Sequence, residues 1–429
     1  MRFVLAAILA TLSTSAFADA VTYSGKLGSI PIVVEFSVPL ETASKDLVGR
    51  YFYVAKGIDI PLQATAVNTT GITLAEEAPC EGDSCDVDPN GLITAPPAAA
   101  VWTLALADAG ATLTGEWSQS SGKSLPLQLE RVGTRPFVPY DPSRPADLAE
   151  FSLFVLSGEG PLTRETSPYD FVKMNSPVTH SAETRWGAVA FDEITDPRTL
   201  FAYPRITDLG GGDFSAANAF LEQRDWGMRL AALNCRSQVY PAMTLGGPVP
   251  IDGGTLGGFD EEEIEVHYLS PRLLSFSESG SLWCGNAYPD NHYHAFNIDI
   301  ATGRPLDLSQ LFKGWVARDY GSGEIVDIET ARQDPTNYGW GADDALAAFV
   351  ASKAPTLGDP TADEECEYPG IIAEHLTISF TMPDRVVFGL DGLAHVVQAC
   401  AEELYEAPVA ELRDLLLPEA NTYFPGALD

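Results

Sequence analysis

Between residues 21 and 132 the chain is a succession of short β-type segments separated by turn residues, and no other stretch limits the fold as strongly. Ile30, Ile32, Val34 and Phe36 alternate with Pro31, Val33 and Glu35, the period of two that puts one face of a strand in a core. Arg50 to Val54 and Ile58 to Leu62 flank the turn Ala55-Lys56-Gly57. Ile72 to Ala75, Val101 to Leu106, Thr112 to Trp117 and Leu125 to Arg131 follow, and with Val21 to Tyr23 they make about eight strands. Short strands in regular succession bury their apolar faces in a small sandwich or an up-and-down barrel. One long interruption, Glu77 to Ala100, holds Cys80, Cys85 and several prolines.

Residues 133–150 are rich in proline: Arg135-Pro136, Val138-Pro139, Asp141-Pro142 and Arg144-Pro145. Proline fixes φ and favours an extended spacer, so a linker is predicted there. Residues 151–429 mix helix and strand signals. Asp213 is a good N-cap for a helix from Phe214 to about Leu233. Strands are predicted at Ser237 to Leu245, Glu262 to Tyr268, Arg272 to Ser277, His294 to Ile300, Leu376 to Phe380, Val386 to Leu390 and His395 to Cys400. Asp343 to Ser352 reads as helix, and Pro408 to Leu417 as a closing helix. The expected fold class is therefore α+β: an N-terminal all-β small barrel or sandwich over 21–132, then a mixed α/β domain with antiparallel sheet over 151–429.

Residues 1–20 have the parts of a secretory signal: Arg2, the apolar run Phe3 to Leu12, and the small-x-small sites Ala16-Phe17-Ala18 and Ala18-Asp19-Ala20. The apolar run is too short to span a bilayer, which takes roughly 20 residues, and no later stretch suffices. A periplasmic or secreted protein without a membrane span is expected. Six cysteines suit an oxidising compartment. Sequence proximity suggests Cys80 with Cys85, Cys235 with Cys284 and Cys366 with Cys400, although six cysteines allow fifteen pairings. The formal charge is −35, and it survives removal of residues 1–20 because Arg2 and Asp19 cancel. Such a surface repels nucleic acid and anionic lipid and attracts cations.

No catalytic residue is identified. The loop Asp86-Val87-Asp88-Pro89-Asn90-Gly91 copies the first half of a calcium loop, but Pro97 stands where the closing acid belongs. Gly82-Asp83-Ser84 lies between two cysteines rather than after a buried strand, and no Gly-x-Ser-x-Gly occurs. Asp260-Glu261-Glu262-Glu263 reads as a solvated charge run before a strand, and Gly246 to Gly258 as a long turn. His292-Tyr293-His294 is the densest imidazole cluster; two histidines at i and i+2 on a strand share a face, an arrangement that suits a metal, but spacing names no third ligand. No cofactor or metal is assigned.

Three stretches together carry a family resemblance: Tyr268-Leu269-Ser270-Pro271-Arg272-Leu273-Leu274-Ser275-Phe276, Cys284-Gly285-Asn286-Ala287-Tyr288-Pro289, and Phe296 to Phe312 with Asp299-Ile300-Ala301-Thr302-Gly303 at its centre. They resemble a domain of unknown function in bacterial envelope proteins, seen in the lysozyme-sensing ectodomain of an anti-sigma factor and ahead of a peptidoglycan deacetylase domain. The resemblance covers roughly residues 150–420. The family has histidine where this chain has Tyr288, so a shared ligand contact does not transfer there. Gly49-Arg50-Tyr51-Phe52-Tyr53 and Leu113-Thr114-Gly115-Glu116-Trp117 look like a small β-barrel that precedes such domains. The resemblance implies binding at 285–294, through Tyr288, Asn291, His292, Tyr293 and His294. The function expected is a non-enzymatic envelope binding protein whose partner is a cationic protein such as lysozyme or a cell-wall glycan. The competing expectation is a metal-dependent envelope hydrolase centred on His292 and His294.

Overall fold

The computed structural model describes residues 19–68, 71–80, 85, 96–136, 161–243, 259–284, 290–334, 336–354, 368–393, 400–401 and 403–428. Two compact units emerge: residues 1–175 with 237–248, and residues 176–236 with 249–429.

In the first unit, β1 (Asp19–Leu27), β2 (Ile30–Phe36), β3 (Val48–Tyr53), β4 (Ile60–Asn68), β5 (Gly71–Glu77), β6 (Ala98–Ala107), β7 (Thr112–Ser118) and β8 (Ser124–Pro136) form a closed barrel in which every strand pairs with its neighbours in sequence. Closure comes from β1 on β8, in register from Asp19 opposite Pro136 to Leu27 opposite Leu127. Closing the sheet removes free strand edges, the weak point of a small β protein. The alternation read from sequence decides the faces: Ile32, Val34 and Phe36 point into the core with Tyr51, Trp102, Leu113 and Leu129. At Gly25 the strands approach so closely that a Cβ would sit 2.0 Å from the Gln128 carbonyl oxygen, so no larger residue fits. One buried acid satisfies the polar atoms of the core: Glu76 accepts the indole N–H of Trp102 at 2.8 Å and of Trp117 at 2.7 Å.

The outer face of the same strands carries charge that is also fully buried. Arg50 bonds Glu35 at 3.0 Å, Asp59 at 3.1 Å and Asp170 at 3.2 Å; Arg135 bonds Glu35 at 2.7 Å, and Lys173 bonds Asp59 at 2.7 Å. Asp170 and Lys173 lie on α1 (Pro168–Met174), which packs on β1, β2 and β8. Tyr169 of this helix donates to Asp59 at 2.6 Å and carries the Arg50 guanidinium 4.1 Å above its ring. Burial alone would raise the Asp59 carboxyl, but Lys173 and Arg50 hold it below its ordinary value.

The linker expected at 133–150 starts inside a strand, since residues 133–136 complete β8, and 137–150 lie outside the described residues. The units divide instead at Asn175/Ser176, so α1 belongs with the barrel.

The second unit opens with β9 (Thr179–His180), β10 (Thr184–Trp186), β11 (Val189–Thr195) and β12 (Ala202–Leu209), one antiparallel sheet. Helix α2 (Ser215–Ser237) follows; Asp213 caps it by accepting the Ser215 N–H at 2.9 Å. Next come β13 (Phe259–Leu269), β14 (Leu273–Leu282), β15 (Asp290–Asp299) and β16 (Arg304–Pro305), which form a second sheet. Ala217, Leu221 and Ala232 of α2 share a core with Phe191, Ile206, Phe276 and Ile298. A third sheet joins β17 (Trp315–Asp319), β18 (Ile325–Val326) and, after α3 (Ile328–Gln333), β19 (Tyr338–Ala342). Helices α4 (Asp344–Lys353) and α5 (Tyr368–His375) lead to the fourth, formed by β20 (Leu376–Thr381), β21 (Arg385–Leu390) and β22 (Glu403–Pro408).

Among the described residues strand outweighs helix, 46 % to 23 %, so the α+β class expected from sequence is corrected to mostly β, with the expected barrel at the N-terminal end. Two local corrections contribute. The closing helix over 408–417 is absent; β22 ends at Pro408 and Val409–Leu412 is 3₁₀. Buried Val409, Leu412 and Leu416 stand at i, i+3 and i+7, the stripe of an α-helix, but Leu415 and Leu416 bond back three residues and the backbone forms tight turns instead. Where a strand is expected over Ser237 to Leu245, α2 continues to Ser237 and a 3₁₀ turn covers Pro241–Met243, with 244 and 245 outside the described residues. The expected strand His395 to Cys400 and the calcium-like and Gly-Asp-Ser loops fall outside the described residues, apart from Cys400.

Two predictions follow from the barrel unit. Arg50→Met leaves Glu35, Asp59 and Asp170 without their shared counter-charge and should destabilise the unit by about 3–5 kcal/mol in urea unfolding followed by circular dichroism; a loss near zero would show that the network contributes little. Burial pushes the Glu77 carboxyl up to about 7, against a partly offsetting bond from the Ala242 N–H. A carboxyl raised on folding contributes most stability below its unfolded value near 4.5, and that contribution is lost as pH rises through 7. The stability of the native chain relative to Glu77→Gln should fall by roughly 3 kcal/mol between pH 4.5 and pH 7. A pH-independent difference would refute this assignment.

Candidate functional site

The His292-Tyr293-His294 segment lies inside β15, four residues upstream of where the sequence starts the strand. Pairing on β14 sets Gly280 opposite His292, Ser279 opposite Tyr293 and Glu278 opposite His294. Alternation then sends the two histidines to one face of the sheet and Asn291 and Tyr293 to the other.

On the histidine face, His292 Nε2 is 3.0 Å from Glu262 Oε2. Glu262 sits in a β-bulge between Asp260 and Glu263, and its carboxylate is buried over Gly280, where a Cβ would come within 2.4 Å of it. The solvated charge run expected at 260–263 is corrected: these residues belong to β13, and Glu262 is turned inward by the bulge. His294 Nδ1 is 3.2 Å from Asp391 Oδ2, and the two imidazole rings stack 5.5 Å apart. Between the pairs, buried Glu278 accepts from Tyr203 at 2.5 Å and from Arg224 at 2.6 Å. Arg224 is on α2 and lies 4.7 Å above the Phe296 ring. Each histidine thus has its own carboxylate, and among the described residues no three His, Cys, Asp or Glu side chains converge as a metal site.

The other face carries a cavity. Tyr293 and the outward residues of β20–β22, Thr377, Ser379, Val387 and Glu403, line about 200 Å³ together with Gly389, Leu390 and Ala401. The alternation Leu376-Thr377-Ile378-Ser379-Phe380 explains the lining: Leu376, Ile378 and Phe380 enter the core, and the hydroxyl residues face out. Burial raises the Tyr293 phenol above its ordinary value, Glu403 adds to the rise, a bond with Ser277 opposes it, and Asp391 and Glu265 raise it further. The phenol therefore stays neutral in a field made by three carboxylates.

Asn291 is exposed, whereas His292, Tyr293 and His294 are partly buried; Tyr288 lies outside the described residues. Sequence reasoning missed Glu262, Glu278, Arg224, Asp391 and Glu403. The hydroxyl face of β20 was readable from its alternation, but a bulge leaves no parity signal, and Asp391 is 97 residues from His294.

A disulfide joins Cys235 on α2 to Cys284 after β14, with Cα atoms 5.4 Å apart, and Cys80 pairs with Cys85. Cys400 is disulfide-bonded, and its expected partner Cys366 lies outside the described residues. Replacing both Cys235 and Cys284 by Ser should cost about 2–4 kcal/mol in reversible denaturation. An unchanged unfolding midpoint would mean that the bridge constrains nothing the fold does not already hold.

No family model and no curated protein matches this chain. The envelope-family resemblance accordingly enters only as support for a proposal.

Proposed function

We propose that this chain is an exported, non-enzymatic binding protein of the bacterial cell envelope whose partner is a cationic protein. The observation that carries the reading is the cavity at Tyr293, set among Glu403, Asp391 and Glu265 on a chain of formal charge −35. A single-sign field of this size raises the encounter rate with a basic partner, and a concave aromatic site supplies short-range contact. The resemblance to envelope domains that include a lysozyme sensor points the same way. The metal-dependent hydrolase gains no support from the histidine face, where His292 and His294 are each engaged by a separate carboxylate.

Export is supported by the disulfides and by the apolar leader; among the described residues no helix is long and apolar enough to cross a membrane. β1 pairs with β8 from Asp19 onward, and Ala20 is fully buried. Of the two cleavage sites, the one after Ala18 keeps this pairing whole. Sequencing of the protein exported from a bacterial host should begin at Asp19; a start at Val21, or retention of the leader, would contradict the assignment.

Surface plasmon resonance against hen lysozyme, used as a basic probe, tests the binding reading. Association should slow as salt rises, because the Debye length falls from about 10 Å at 0.1 M to about 3 Å at 1 M. Tyr293→Ala should speed dissociation and leave the salt slope of association unchanged. Absence of binding to any basic probe at low salt would end the reading.

A further inference from the structure

We propose that the Tyr293 cavity seats one primary ammonium group on an alkyl stem, the chemistry of a lysine side chain. The inference rests on the reading of the chain as a binder of a cationic partner and names the contact that partner makes. Size decides first. At about 200 Å³ the cavity is smaller than the roughly 300–1,000 Å³ of drug-sized ligand sites, so it admits a single side chain and excludes a glycan chain. The walls decide next. Val387, Leu390, Ala401 and the Tyr293 ring offer apolar surface that suits a run of methylenes, while Ser379 and Glu403 offer oxygen. An apolar sleeve ending in an acceptor matches a side chain whose stem is greasy and whose head is charged.

The sign of the field completes the argument. Glu403, Asp391 and Glu265 all act on the Tyr293 phenol as negative charges. Asp391 already faces His294, but Glu403 makes no ion pair among the described residues. An anion would meet repulsion here. A cation gains a carboxylate partner, and the aromatic ring of Tyr293 lines the same cavity. Guanidinium is the weaker candidate, because its planar fork seeks two parallel acceptors and the cavity lining offers one carboxylate.

Saturation-transfer NMR on the full chain tests this with n-butylammonium and its neutral counterpart n-butanol as probes. The ammonium should bind at least about tenfold more tightly than the alcohol. Glu403→Gln should remove about that factor for the ammonium and leave the alcohol unchanged. Ala401→Phe, which fills the cavity, should abolish both signals. Glu403 is exposed, so its variant should keep the native melting temperature, and it decides the matter should Ala401→Phe fail to fold. Equal binding of the two probes, or ammonium binding indifferent to Glu403→Gln, overturns the proposal. The same variants measured against lysozyme separate the two ideas. Lysozyme binding that ignores both substitutions refutes the seat and leaves the protein-binding reading standing. Ammonium binding at the cavity without any binding of basic protein upholds the seat and removes the broader reading.

Discussion

Arg50 determines how the first unit is built. A closed barrel needs nothing on its outer face, yet here three acids and three bases are sealed there, with Arg50 touching all three acids. Stripping water from that many charges costs several kcal/mol per ion unless every partner is in place. The set is completed only when α1 brings Asp170 and Lys173 to β2 and β3, across a sequence separation of 120 between Arg50 and Asp170. The network is therefore less a source of net stability than a condition on geometry. A helix shifted along the barrel would strand a buried charge, so a single docking position is selected.

In the second unit one strand serves two chemistries. Because β15 alternates, His292 and His294 enter a polar layer with Glu262, Glu278 and Arg224, while Tyr293 between them opens on the cavity. In the histidine layer each ring has a carboxylate and Glu278 has two donors, while buried Glu262 Oε2 lies beside His292 without a hydrogen bond. Groups so engaged are poor ligands for anything further. The cavity face is the reverse, with a neutral phenol, hydroxyls and a carboxylate that makes no ion pair among the described residues. Dense imidazole drew attention to this segment, but the residue between the histidines is the one that lines the cavity.

The barrel was legible because its signal is local. Alternation at Ile32, Val34 and Phe36 and the turns between strands are written in consecutive residues. The charge network was not: Glu35 and Arg50 read as ordinary strand positions and Arg135 as part of a proline-rich linker, and a helix more than thirty residues beyond β8 covers them. The same limit explains the errors in the second unit. The i, i+3, i+7 stripe of Val409, Leu412 and Leu416 reads as α-helix although the backbone closes three-residue turns there, and a bulge at Glu262 reverses the parity that alternation depends on. Of the His292-Tyr293-His294 segment only His294 reads as strand from the sequence and the rest as the end of a loop; β15 in fact begins at Asp290, and which face met solvent depended on β20–β22, about 85 residues later.

The acidic surface and the cavity act at different ranges, and neither substitutes for the other. Charge spread over a whole chain draws in any cation and, by itself, selects none; at moderate salt its reach shrinks to about 10 Å, a few side-chain lengths. A cavity that closes around a stem and ends in Glu403 selects by shape, but it must first be found. Desolvation connects the two. Glu403 is itself exposed, so what an arriving ammonium stem removes from water is the apolar wall of Val387, Leu390, Ala401 and the Tyr293 ring, while the carboxylate keeps much of its hydration. A glutamate without such apolar walls beside it would contribute little beyond the common field. The difference lies in the neighbours of Glu403, and those are supplied by the outward faces of three strands and by one tyrosine from a fourth.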